Sequence, residues 1–148
     1  MKQYKTTTKL FSLKKIPTDF PNIKITSSTD AATFIRQFYS DDIEIYESFF
    51  ILLLNRPNHT IGYAKISQGG IIGTTVDVKI IAKYCLDSLC SGVILAHNHP
   101  SGLLEASDED KKITEKVKNA LSFIDVKVLD HVIISKNKHY SFADEGFL

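Results

Sequence analysis

Residues 97–110 read His-Asn-His-Pro-Ser-Gly-Leu-Leu-Glu-Ala-Ser-Asp-Glu-Asp, which puts two imidazoles, two serine hydroxyls and several carboxylates into one short stretch. In an extended segment, residues two apart project to the same side and lie roughly 7 Å apart. His97 and His99 can therefore turn both rings toward one ion, and Asn98 must face away. Pro100-Ser101-Gly102 is a bend signal that returns the chain over the histidines and brings Ser107 and Asp110 into range. Two nitrogens and one carboxylate leave a fourth tetrahedral position for water, the arrangement of a catalytic rather than a structural zinc site. Plainer readings stand beside this one. Two solvated imidazoles in a loop need no metal, and Ser107-x-x-Asp110 is also a capping-box-like helix start, where acids complement the macrodipole. Capping and ligation are compatible, because a helix start fixes the direction of the Asp110 side chain.

A catalytic zinc site needs a carboxylate to move protons, and Glu44 and Glu47 precede or open an apolar run. Counting by twos sets Glu47 on one face with Ile43, Ile45, Phe49, Ile51 and Leu53, and Glu44 on the other with Tyr46 and Ser48. Glu47 interrupts an otherwise apolar row, where a carboxylate is costly unless partnered; the alternative is a strand-end glutamate reaching solvent. His131 follows Asp130 in the strand-like run Val-Leu-Asp-His-Val-Ile-Ile. It can help orient a group that supports the site, although a satisfied histidine at a sheet edge fits the pattern better, and it is not counted as a ligand. His59, on a turn, and His139, near the C-terminus, are expected at the surface. Cys85 and Cys90 form neither a Cys-x-x-Cys pair nor a spaced framework, and are expected in the core.

These residues must be held by the elements around them. Ser28-Thr29-Asp30 predicts the start of a helix running to about Phe38, after a short strand at Ile23 to Thr26. Glu47 to Leu54 and Thr60 to Ser67 predict a hairpin around Asn-Arg-Pro-Asn, with Gly69-Gly70 breaking the second strand and a third short strand at Ile71 to Thr74. Val78, Ile81, Ala82, Cys85, Leu86 and Leu89 form one stripe of an amphipathic helix. Val93 to Ala96 predicts a buried strand that delivers His97 at its C-terminal end. A helix from near Ser107 carries Ile113, Val117, Ala120, Leu121 and Ile124, and Val126 to Ile134 and His139 to Phe142 predict closing strands. Strands interleaved with helices give an α/β fold.

A length of 148 residues suits one domain able to bury a core without disulfides. The longest apolar runs are too short to cross a bilayer, and the first residues lack the apolar core of a secretory signal, so a cytoplasmic location is expected. A net charge of +1 demands no nucleic-acid or membrane partner. Basic residues do gather at the start, where Lys2, Lys5, Lys9, Lys14 and Lys15 precede the first acid, Asp19.

Taken together, these motifs resemble the JAMM family, also called MPN or JAB, of metalloprotease-like proteins, and in particular its bacterial RadC-like branch. His97-x-His99-Pro100, six residues, then Ser107-x-x-Asp110 has the family spacing. His97-Asn-His-Pro-Ser-Gly102, Glu47-Ser-Phe-Phe-Ile-Leu-Leu-Leu-Asn55, Asp130-His131-Val-Ile-Ile and Tyr140-Ser-Phe142 resemble that branch. The resemblance covers residues 28–148 and implies a single MPN/JAB-like domain, a mixed central sheet flanked by helices, behind a short basic extension at 1–27. That extension is too short for the helix-hairpin-helix region of full-length RadC proteins. The resemblance further implies that His97, His99 and Asp110 bind Zn2+, that Glu47 is the general acid/base, and that Ser107 stabilises an oxyanion during hydrolysis of a peptide or isopeptide. Asn98 stands where deubiquitinating relatives carry serine or threonine. The competing function is a DNA-associated repair or recombination accessory protein with a structural or vestigial metal site. A zinc nucleobase deaminase fails for want of His-x-Glu and Pro-Cys-x-x-Cys.

Overall fold

The computed structural model describes residues 7–12, 14–70 and 75–148. The predicted short strand at 71–74, together with Lys2 and Lys5, lies outside them; Lys9, Lys14 and Lys15 are exposed. The first helix, α1 (Ser28–Arg36), is capped by Ser27, one residue earlier than expected. Ser27 has extended backbone and its hydroxyl accepts from the Asp30 amide at 3.1 Å, while the Asp30 carboxylate accepts from the Thr26 amide. Serine three residues ahead of aspartate thus sets the helix start here, as it does at Ser107 and Asp110. The segment expected as a strand at Ile23 to Thr26 pairs through a single bridge, Lys24 with His59.

The strands are β1 (Glu47–Leu54), β2 (Thr60–Gly69), β3 (Gly92–Asn98), β4 (Lys127–Ile134) and β5 (His139–Ser141). They form one mixed sheet in the order β2-β1-β3-β4-β5. β3 and β4 are parallel; the other neighbouring pairs are antiparallel. Parallel neighbours need a crossover, and α3 (Asp108–Ser122) supplies it; α2 (Val78–Ser88) precedes β3.

Strand parity sorts the core into two layers. Leu52, Leu54, Ile94, Ala96, Val132 and Ile134 pack under α1 with Phe34 and Ile35. Phe49, Ile51, Leu53, Val93 and Leu95 pack on the other face against Ile81 and Cys85 of α2 and Val117 and Leu121 of α3. The fold is therefore α/β, a mixed sheet flanked by helices. Cys85 and Cys90 are both buried with free thiols, as expected. Ile43 and Ile45 do not extend the face of Glu47, because Asp41–Glu44 is a 3-10 turn, in which the period of two no longer holds; Ile43 packs into the α1 layer instead. Among the described residues, no helix is long and apolar enough to cross a membrane.

Candidate metal centre

The site gathers where β1 begins, β3 ends and α3 begins. In the β1/β3 register Phe49 faces His97, and Glu47, two residues before Phe49 at the start of β1, reaches within 4.0 Å of His99. The parity that sends Phe49 and His97 to the α2/α3 face sends Glu47 the same way. The Phe49 ring lies parallel to the His97 ring, with centroids 5.9 Å apart, and walls the site on its apolar side.

Asn98 faces away from the imidazoles, as its position in a strand requires. It is completely buried, and all its polar atoms are used. Its Oδ1 accepts from the Ser48 amide at 2.8 Å, and its Nδ2 donates to the carbonyls of Ile43 at 2.6 Å and Tyr46 at 2.8 Å. Tyr39 donates to the Ser48 carbonyl at 2.9 Å. The start of β1, and with it Glu47, is thus clamped to the strand that carries the histidines.

At the other side of the site, Ser107 caps α3 with a complete capping box. The Asp110 amide donates to Ser107 Oγ, and the Ser107 amide donates to Asp110 Oδ2, each at 3.0 Å. Capping does not consume the carboxylate. Asp110 Oδ1 lies 3.2 Å from His97 Nε2, and Oδ2 lies 3.2 Å from His99 Nε2. The two imidazole Nε2 atoms are 3.0 Å apart.

The chemistry of these donors fits a cation. A tetrahedral ion with bonds of about 2.0–2.1 Å holds its ligand atoms about 3.3 Å apart, close to the three separations just given. His99 Nδ1 lies 2.9 Å from the Leu103 carbonyl, which can only accept, so neutral His99 carries its proton there and turns a bare Nε2 inward. Glu47 Oε1 stands 4.0 Å from His99 Nε2, and the side chains of Glu47, His97 and His99 offer ligand atoms within 4.8 Å of one another. His97 and His99 are common to both groupings. Asp110 is the nearer carboxylate, and Glu47 lies one step outside. Glu47 is mostly shielded, its side chain 16% exposed, so it does not simply reach into solvent.

The electrostatics follow from these contacts. The Asp110 carboxylate holds the His99 imidazole above its ordinary pKa, against an opposing effect of burial. Burial pushes Asp110 upward, but its contacts with the His97 and His99 imidazoles outweigh it and leave the carboxyl well below its usual range. His131 corrects the sequence reading. It lies on β4 between β3 and β5 rather than at a sheet edge, fully buried, with Nε2 2.8 Å from His97 Nδ1. Burial holds its pKa well below the ordinary histidine value. His59 is exposed as expected, whereas His139 is half-buried, with Nε2 3.3 Å from the Ser28 hydroxyl. Thr114 carries no signal in the sequence beyond that of an ordinary helix residue; its hydroxyl meets His131 Nδ1 at 2.6 Å. A groove of about 500 Å³ opens beside His99, lined by Pro100, Ser101, Gly102, Lys136, Asn137 and Lys138 among others.

A family model described as the RadC-like JAB domain matches residues 25–147. The chain belongs to the RadC-like JAB family. Its relatives include a UPF0758 protein of Flavobacterium johnsoniae, 49% identical over 83% of this chain and 53% of the relative. UPF0758 proteins of Coprothermobacter proteolyticus and Porphyromonas gingivalis are 40% and 38% identical, each over 84% of this chain and 54% of the relative. The RadC-like chain thus spans about half the length of the curated relatives it matches.

Proposed function

We propose that this RadC-like JAB domain is a zinc-dependent metallohydrolase that cleaves an amide bond in a peptide or isopeptide substrate. The observation that carries the reading is the convergence of His97 Nε2, His99 Nε2 and both Asp110 oxygens at separations of 3.0–3.2 Å, with the Glu47 carboxylate beside them. His97, His99 and Asp110 hold the ion. Zinc bound there supplies a water acidic enough to ionise near pH 7 and polarises a carbonyl oxygen. Glu47 would serve as the base that takes a proton from the attacking water and as the acid that returns it to the leaving amine. Ser107 Oγ uses a lone pair to cap α3, which leaves its hydroxyl proton to donate to the oxyanion. The groove that His99 lines is the surface along which an extended substrate chain would lie.

The test begins with elemental analysis of purified wild type, His97→Ala and Asp110→Ala. Wild type should carry zinc and both variants should lose it; equal content in all three overturns the site. A peptide-library cleavage assay then compares wild type with Glu47→Gln, and equal cleavage by both removes Glu47 from the chemistry.

A further inference from the structure

Behind His97 runs a chain of hydrogen bonds that ends on a group able only to accept. Thr114 Oγ1 lies 2.6 Å from the Asp110 carbonyl oxygen and 2.6 Å from His131 Nδ1. A carbonyl has no proton, so the single hydroxyl proton of Thr114 is committed to that oxygen. The contact with His131 then requires the proton on His131 Nδ1. A neutral imidazole has one N–H, which leaves His131 Nε2 bare. That bare nitrogen faces His97 Nδ1 at 2.8 Å, so His97 Nδ1 must be the donor. His97 Nε2 is left with a lone pair directed at His99 Nε2 and Asp110 Oδ1.

The surroundings keep His131 a neutral relay. Its ring is stacked on Phe142, with centroids 4.6 Å apart, and meets Phe49 edge-on at 5.5 Å. Phe142 is drawn into place by Asp130, which accepts from the Ser141 hydroxyl at 2.6 Å and the Ala143 amide at 3.0 Å. The opposite polarity, with a proton on His97 Nε2, would turn the Thr114 proton toward His131. It would leave two bare oxygens 2.6 Å apart in the buried interior, a repulsive arrangement.

We propose that Thr114 and His131 are positioning residues that lock His97 in its Nδ1–H tautomer and so keep Nε2 as a lone pair facing the metal site. The lock closes on the backbone of Asp110, whose side chain faces the same imidazole nitrogens, so one hydrogen-bonded chain reaches two of the proposed ligands. The consequence for metal binding rests on the function proposed above, but the tautomer belongs to the metal-free protein and is tested separately.

Long-range 1H–15N correlation spectra of metal-free wild type at neutral pH read the tautomers directly. Both His97 and His131 should appear as Nδ1–H, and an Nε2–H form of either overturns the proposal. Zinc affinity, measured by competition with a chromophoric chelator, should fall about 10-fold in Thr114→Val, the lower end of the usual cost of losing a partner that orients a metal-bound histidine, because Thr114 acts on His97 through His131. Thr114→Ser, which keeps the hydroxyl, should restore both the wild-type affinity and the wild-type tautomer. A Thr114→Val protein with wild-type tautomer and affinity overturns the lock. If Thr114→Val does not fold, the wild-type spectrum still decides. A wild type that takes up no zinc removes the proposed function, while the spectrum alone decides the relay.

Discussion

Replacing Asn98 with alanine removes three hydrogen bonds from a fully buried position, those with the Ser48 amide and the Ile43 and Tyr46 carbonyls. At a net worth of about 1 kcal/mol per bond, the folded state should lose about 3 kcal/mol. For a chain of this length each kcal/mol moves the melting temperature by about 2–4 °C, so Asn98→Ala should melt about 6–12 °C below wild type. Asn98→Asp keeps the shape but points a carboxylate at two carbonyls, which raises its folded pKa above the unfolded value of about 3.9. The folded state then binds more protons above that pH, so the variant should lose stability as pH rises and regain it in acid. Urea denaturation followed by circular dichroism, at pH 4 and pH 7.5, measures both effects. A loss below about 1 kcal/mol for Asn98→Ala, within the range of a single ordinary hydrogen bond, would refute the clamp as the device that places Glu47.

Three further outcomes follow from the same geometry. Ser107→Ala should cost about 1 kcal/mol of stability through the lost cap. Ser107→Asp should recover that stability without recovering amide cleavage, because a carboxylate has no proton for an oxyanion; recovered cleavage would remove Ser107 from the chemistry. Free zinc at 100 times its dissociation constant should stabilise wild type by about 2.7 kcal/mol, a rise of about 5–11 °C in melting temperature, and a similar rise in His97→Ala would place the ion elsewhere. In chelator, the pairing of His99 with Asp110 should be stabilising below the unfolded histidine pKa of about 6.5 and lost as pH rises through the elevated folded value. The depressed Asp110 sets the acid limit, with its contribution lost as pH falls below about 3.9. Melting curves from pH 5 to 9 should therefore decline in wild type, and an equal decline in Asp110→Asn would exclude the pair as the cause.

Much of the site could be read from the sequence because it is encoded in short periods. The two-residue spacing of His97 and His99 put both rings on one face and Asn98 on the other, and the same parity placed Glu47 with Phe49, Ile51 and Leu53. The period ends at the 3-10 turn, so Ile43 and Ile45 do not share that row. Ser107-x-x-Asp110 allowed capping or metal approach, and the structure has the cap while also bringing the carboxylate to both imidazoles.

Local backbone geometry repeats every two or 3.6 residues, so the sequence by itself determined which side chains share a face, where α3 begins and which residues could meet an ion. It did not determine strand order. Only the tertiary structure put β4 between β3 and β5, which moved His131 from an expected sheet edge to a buried post behind His97. The tertiary structure likewise gave Asn98 its partners, the nearest of them 50 residues away in the chain, and gave Thr114 a place in the relay. Buried polar groups must find hydrogen-bond partners wherever packing brings them, and those partners are fixed by neighbours in space that no local period records.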